Sequence, residues 1–348
     1  MSDQMYALVK QSAAPGLDLV RVEKPVPGPL DVLIHIRKTS ICGTDVHIYN
    51  WDRWSREHVT PPVTIGHEYC GEVAAVGELV TQVKPGDLVS GEGHIVCGTC
   101  RNCRAGQRHL CNAPKGVGVE RPGAFAEYLC IPEANVVRLR PGIPEEIAAI
   151  FDPFGNAVHT ALKFRLVGED VLVSGAGPIG MMAARVARFC GARHIVVTDI
   201  KPYRLELVKT LEPSIHTINV EEISIRDEMH QLGMTEGFDV AMEMSGAESA
   251  VNATIAAMKN GGEIALLGTH GREATVDWNQ VIYKSLTVKG VYGREMFETW
   301  YKMMAMVEAG LDLTSIITHR FDFRDYEEGF AVMNSGNSGK VILDWTHI

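Results

Sequence analysis

The stretch Ser174-Gly175-Ala176-Gly177-Pro178-Ile179-Gly180 constrains this chain more than any other. It is a G-x-G-x-x-G that follows the apolar run Val171-Val173 and opens a helical pattern reaching Cys190. The first glycine permits a tight turn, the second lets the backbone approach a pyrophosphate, and the third lets strand and helix pack closely, with the anion on the helix N-terminus. Gly175, Gly177 and Gly180 are therefore expected to bind a dinucleotide. Nineteen residues past Gly180 the next apolar strand ends in Asp199. An acid there accepts hydrogen bonds from a ribose 2'-hydroxyl and repels a 2'-phosphate, which favours NAD over NADP. Lys201 and Arg204 lie close by with the opposite charge, and Arg204 is assigned either to the adenine face or to solvent.

The pattern around this motif changes once along the chain. From Met5 to about Arg140, short β-branched or alternating runs (Tyr6-Val9, Leu17-Val22, Val32-Arg37, Gly71-Val76, Asp87-Val89, Ala126-Ile131) are broken by Pro-Gly and Lys-Pro-Gly-Asp turns, which reads as a β-rich domain. From about Phe154 strands and helices alternate, predicting an α/β domain with a doubly wound parallel sheet. After Arg294 come a helix, a strand, a helix and the terminal strand Lys340-Leu343, which are expected to rejoin the first domain. The expected division is 1–153, 154–295 and 296–348.

Cys97, Cys100, Cys103 and Cys111 are spaced Cys-x2-Cys-x2-Cys-x7-Cys, so one loop can bring four sulfurs to the corners of a tetrahedron. Four thiolates close the coordination of zinc, so this site is expected to hold a loop in shape, not to activate water. A bacterial iron-sulfur run has a three-residue last gap and a proline after the final cysteine; here the gap is seven and Asn112 follows. Cys42, Cys70, Cys130 and Cys190 stand singly in apolar surroundings, and Met1-Ser2-Asp3-Gln4-Met5 carries no basic-then-apolar export pattern. The expectation is a reduced, cytoplasmic protein.

The 348 residues are 46% hydrophobic and 22% charged, with a net charge of −10. That balance argues against nucleic acid and anionic membrane as partners. The longest apolar stretch, Val171 to Cys190, is cut by glycines, Arg185 and Arg188, so no bilayer span is expected.

Cys42-Gly43-Thr44-Asp45-Val46-His47 and Gly66-His67-Glu68 together offer a thiolate, an imidazole and a carboxylate, a set that suits zinc with one position left open for water or substrate. These two segments, the four-cysteine lobe and the Gly175–Gly180 turn, in that order, resemble the zinc-dependent medium-chain alcohol dehydrogenases. The longer segments Ile41–Trp51, Phe151–Thr160 and Val291–Trp300 narrow the resemblance to members that oxidise L-threonine.

The resemblance implies a GroES-like catalytic domain built from both chain ends, a Rossmann domain between them, and a homotetramer. It implies one catalytic and one structural zinc per subunit, with Cys42 and His67 holding the catalytic ion and Glu68 as ligand or near-ligand. The implied reaction takes a hydride from the secondary hydroxyl carbon of L-threonine to NAD, giving 2-amino-3-oxobutanoate in threonine catabolism. A polyol dehydrogenase of the sorbitol or butanediol type, and a non-enzymatic NAD-binding scaffold, are the competing readings. Thr44 and His47 match a proton relay, a hydroxyl followed by an imidazole. Asp152 matches an acid near the zinc and, being one carbon shorter than glutamate, is assigned to proton transfer or to supporting the ligands. Ile179, Leu266, Leu267, Gly268, Val291 and Tyr292 match positions beside the nicotinamide. Threonine also carries a carboxylate and an ammonium. Arg294 is the candidate for the first, against pairing with Glu295 or the pyrophosphate; His94 or Asp152 is the candidate for the second. His159 is read as structural.

Overall fold

The computed structural model describes residues 4–271 and 273–347, so Met1-Ser2-Asp3 of the segment read for an export signal lie outside the described residues. The chain divides into two compact units. The first comprises Met1–Asp152, Glu295–Glu308 and Ile317–Ile348; the second comprises Pro153–Arg294 and Ala309–Ile316.

In the first unit, the strand Asp31–Ser40 organises a seven-stranded sheet. Its Val32–Thr39 edge pairs antiparallel with Tyr69–Val76. Its opposite edge is shared: Asp31–His35 pairs with Tyr128–Pro132, and Lys38–Ser40 pairs with the C-terminal strand Lys340–Asp344. The chain's end is thus stitched directly to the segment that delivers Cys42. Trp345 seals this junction. It is fully buried, stacks on Phe323 at 4.4 Å, and donates its indole N–H to Thr39 Oγ1 at 2.9 Å. Burying an apolar side chain of this size stabilises by roughly 1.5–3 kcal/mol. Leu8, Ile34, Ile36, Phe125 and Phe330 fill the same core.

The second unit holds a six-stranded parallel sheet in the order His216–Asn219, Ile195–Asp199, Val171–Ser174, Phe238–Glu243, Met258–Leu266, Thr287–Gly290. The order reverses beside Val171–Ser174, which creates the crevice where α/β sheets bind ligands. Leu172, Val196, Ala241 and Ile264 are buried in its core, as expected for strands covered on both faces.

Several features differ from the sequence reading. The strand His216–Asn219 and the helix Ile225–Gln231 were not anticipated, because only Ile218 of that strand is a buried apolar residue and no alternation marks it. The stretch 296–348 is also not one continuous return. Ala309–Ile316 belongs to the second unit, where the turn Thr314–Ile316 packs on the helices Pro178–Phe189 and Pro202–Leu211.

Candidate active site and metal centres

Cys42 follows the buried Ile41 and serves as N-cap of the helix Gly43–Asn50. The cap is held by Asp45, whose Oδ2 accepts the Cys42 backbone N–H at 2.9 Å. His67 and Glu68 arrive from another direction, just after Gly66. That glycine has φ +91°, and a Cβ on it would lie 2.2 Å from Phe125 Cδ1, so only glycine lets the chain pass. The outcome is convergence: one ligand atom each from Cys42, His67 and Glu68 lie within 4.8 Å of one another.

The electrostatics of this cluster call for a cation. Burial opposes a charge on His67, yet Asp45, Cys42 and Asp152 outweigh it and hold the imidazole well above its ordinary value. Burial likewise pushes the Asp45 carboxyl up to about 6, against the pull of His67. Asp45 Oδ1 stands 3.7 Å from His67 Nδ1 and has no hydrogen-bond partner among the described residues. Glu68 is 1% exposed; its Oε2 is 2.6 Å from Lys340 Nζ, while Oε1 has no partner among the described residues. A buried carboxylate oxygen left unsatisfied beside a thiol and an imidazole is what a zinc ion would complete, so the residues fit the metal.

Thr44 and His47 lie three residues apart on the same helix, hence on one face. His47 is exposed, and its Nδ1 pairs with Asp52 Oδ2. Asp152 is 7% exposed and acts electrostatically on both His67 and Tyr69. The structure therefore brings Cys42, His67, Glu68 and Asp152 into one electrostatic neighbourhood. Asp45 and Lys340 belong with them but were given no role from sequence. An acid in the first turn after Cys42 was a usable signal for Asp45; nothing local marks Lys340.

The four sulfurs of Cys97, Cys100, Cys103 and Cys111 also lie within 4.8 Å of one another, and none of the eight cysteines forms a disulfide. Backbone N–H groups point at the sulfurs, with Cys100 N 3.4 Å from Cys97 Sγ and Ala113 N 3.4 Å from Cys111 Sγ. The Cys100 N–H foremost, then the N–H and hydroxyl of Thr99, draw the Cys97 thiol down to about 6, towards the thiolate a metal requires. The tetrad fits a four-thiolate zinc.

In the second unit, Gly175 turns with φ +102°, and a Cβ on Gly180 would meet Gly175 O at 2.0 Å. Gly177 caps the helix Pro178–Phe189, in which Ile179 occupies the first turn. Asp199 closes the turn from outside: Oδ2 accepts the Ala176 N–H at 2.8 Å, Oδ1 accepts Ile200 and Lys201 N–H, and Arg204 Nη1 stands 3.9 Å away. The guanidinium of Arg204 is half-buried beside the acid. Leu266 ends its strand and accepts the Val291 N–H at 2.8 Å; Leu267 and Gly268 both donate to Glu243 O, and Tyr292 is exposed. Arg294 is 2% exposed, with Nη1 donating to Asn156 Oδ1 at 3.3 Å. His159 is buried and pairs with Gly293 O at 2.9 Å, a structural placement.

His94, in the first unit, pairs through Nδ1 with Glu92 Oε1 at 3.1 Å. Glu92, 1% exposed, was not singled out from sequence.

A family model described as an alcohol dehydrogenase GroES-like domain matches residues 28–141, and one described as a zinc-binding dehydrogenase matches residues 178–309. The L-threonine 3-dehydrogenase of Burkholderia vietnamiensis is 58% identical across 98% of this chain and 100% of its own length. That of Colwellia psychrerythraea is 57% identical with the same coverage. Among solved structures, an alcohol dehydrogenase from Thermus sp. ATN1 superposes with a TM-score of 0.89 at 28% identity, covering 98% of this chain and 99% of that one. A putative zinc-binding dehydrogenase from Sinorhizobium meliloti, bound to NADP, gives 0.89 at 25% identity, covering 98% and 99%.

Proposed function

The chain belongs to the zinc-dependent medium-chain alcohol dehydrogenases, with their GroES-like and zinc-binding dehydrogenase domains, and on that premise we propose that it is an NAD-dependent oxidoreductase that oxidises L-threonine at its secondary hydroxyl to 2-amino-3-oxobutanoate. The observation that carries the reading is the convergence of Cys42, His67 and Glu68 on one point, in a chain 58% identical over nearly its full length to curated L-threonine 3-dehydrogenases.

Bound zinc supplies the Lewis acidity that makes a secondary hydroxyl acidic near neutral pH, and bound NAD accepts the hydride. The chain's own residues do the rest. Cys42 and His67 would hold the metal, with the carboxylate of Glu68 beside them as ligand or near-ligand. Thr44 and His47 take the hydroxyl proton and pass it outward, where the exposed His47 meets solvent and Asp52. Asp152 contributes negative charge beside His67. Gly175, Gly177 and Gly180 receive the pyrophosphate, Asp199 the adenosine ribose, and Ile179, Leu266, Leu267, Gly268, Val291 and Tyr292 the nicotinamide side. Arg294 answers the substrate carboxylate and His94 its ammonium. The four-cysteine lobe carries the second, structural zinc.

We assign the active species to a cytoplasmic homotetramer. The strand Thr287–Gly290 leaves one edge of the six-stranded sheet unpaired among the described residues, and Trp278, Ile282 and Tyr283 beside it are 61%, 68% and 80% exposed. An open edge flanked by large apolar side chains favours strand pairing between copies. No helix among the described residues is long and apolar enough to cross a membrane.

NADH formation with L-threonine, sorbitol and 2,3-butanediol, using NAD and NADP, before chelation and after zinc return, tests the reading. Zinc-restorable activity on threonine with NAD is expected. Activity on sorbitol or butanediol alone would keep the chemistry and overturn the substrate.

A further inference from the structure

Glu92 is a carboxylate with a fully buried side chain, and the bonds resolved to it come from two distant parts of the first unit. Oε1 accepts the His94 backbone N–H at 3.0 Å and faces His94 Nδ1 at 3.1 Å; Oε2 accepts the Trp300 indole N–H at 3.2 Å. The backbone beneath is clamped as well. Asn135, itself buried, donates its side-chain amide to Glu92 O at 2.8 Å and to His94 O at 2.9 Å, and Glu92 N donates back to Asn135 O at 2.8 Å. Gly91 is part of this design, because a Cβ on it would lie 2.3 Å from Tyr69 Oη and 2.6 Å from Asn135 O. Trp300 is fully buried and packs edge-on against Phe151 at 6.1 Å, so its indole is a rigid donor. Tyr69 joins this cradle to the metal ligands. It directly follows Glu68, and its hydroxyl occupies the space that Gly91, the residue before Glu92, leaves open.

Such a network is costly to leave incomplete, since a buried carboxylate needs donors on its oxygens. Its effect on His94 is specific. A carboxylate accepts only, so Nδ1 must carry a proton, and in the neutral imidazole Nε2 is then the acceptor nitrogen. An acceptor imidazole of fixed orientation makes a charge-assisted hydrogen bond with an ammonium group, and only a weaker, neutral one with the second hydroxyl of a diol.

We propose that Glu92 is a positioning residue for substrate specificity: held by Trp300, it locks His94 in the tautomer whose Nε2 accepts a hydrogen bond from the ammonium of an amino alcohol. This rests on the reading of His94 as a substrate contact, and it extends that reading from the residue to the device that orients it.

The test compares Glu92→Gln and His94→Asn in the zinc-loaded enzyme, with L-threonine and the uncharged 2,3-butanediol as substrates. Losing a hydrogen bond to a charged group corresponds to roughly tenfold in affinity. Both variants are expected to raise KM for threonine roughly tenfold more than KM for butanediol, with a smaller effect on kcat. If His94→Asn changes that ratio and Glu92→Gln does not, His94 contacts substrate unaided and the positioning inference falls while the proposed reaction stands. If neither changes it, the substrate contact falls too. Nitrogen-15 NMR of the unsubstituted enzyme gives a reading independent of any variant's folding: His94 protonated at Nδ1 and not at Nε2 is expected, and the reverse tautomer overturns the inference.

Discussion

Lys340 Nζ lies 2.6 Å from Glu68 Oε2, and the two side chains are 3% and 0% exposed. Lys340 also donates to Ile41 O at 2.9 Å, the residue before Cys42. One ammonium thus fixes a carboxylate of the metal cluster and the backbone that delivers its thiol. It pairs with one oxygen of Glu68, while the other has no hydrogen-bond partner among the described residues.

Lys340→Met should therefore strand a buried carboxylate. Removing one partner of a buried pair typically destabilises by about 3–5 kcal/mol, whereas removing both is often nearly neutral. The expectation is a large fall in Tm for Lys340→Met that the double variant Lys340→Met/Glu68→Gln partly recovers. Equal loss in single and double variants would show that the lysine's bond to Ile41, not the ion pair, carries the stability.

Asp199 has two tasks that a substitution separates. Its Oδ2 ties the fingerprint turn at Ala176 to the second strand, and its charge disfavours a 2'-phosphate. Asp199→Asn keeps an acceptor for Ala176 but removes the charge. The expected outcome is a loss of about tenfold or more in the ratio of kcat/KM for NAD over NADP, with little change in Tm. An unchanged ratio would mean that Lys201 and Arg204 already neutralise the acid.

How much of this was legible in the sequence depends on the distance over which each relationship acts. The glycine turn, its acid and the cysteine tetrad are local patterns, so spacing alone located them. Cys42 with His67 was legible only through order along the chain, because the glycine at 66 and the strand pairing that bring them together leave no periodic trace. Glu68 and Lys340 are 272 residues apart, and Glu92 and Trp300 are 208 apart. Their pairing is decided by the C-terminal strand closing the first sheet and by the return helix Glu298–Glu308, neither of which a linear pattern encodes. The overlooked strand His216–Asn219 illustrates the other limit: with a single buried apolar side chain, its place in the sheet comes from its parallel neighbour, not from its own composition.

The Lys38–Asp344 pair gives a prediction for acid. Burial would raise the Asp344 carboxyl, but Lys38 and Thr346 outweigh it and hold it below the usual range. A group whose folded value is depressed contributes stability that is present above its unfolded value, near 3.9, and lost as pH falls through the folded value. Both side chains are partly open, at 16% and 23%, so the contribution is about 1 kcal/mol or less after screening. Asp344→Asn should lower Tm modestly at pH 7, and the gap between the two proteins should close as the pH falls below the carboxyl's unfolded value. A gap that persists undiminished in acid would assign the loss to hydrogen bonding with Thr346 instead of charge.

Gly66 provides the sharpest test of how the catalytic cluster is assembled. Its φ of +91° is a conformation that side-chain-bearing residues avoid, and the Phe125 ring occupies the space where a Cβ would go, with three ring carbons at 2.2–2.7 Å. Phe125 cannot yield easily, because it is fully buried and its backbone N–H and C=O bond to Ile65 and Leu8. Relief would have to come from the Gly66–His67 backbone, which moves the imidazole off the point it shares with Cys42 and Glu68. Gly66→Ala should accordingly cost more than about 2 kcal/mol through strain and overpacking. It should also lower zinc content at the catalytic site while the four-cysteine lobe keeps its ion, leaving about one metal per chain by elemental analysis. The paired variant Gly66→Ala/Phe125→Leu relieves the overlap but not the backbone strain. Full recovery of zinc in that variant would identify the ring, and no recovery the left-handed turn, as the element that sets His67 in place.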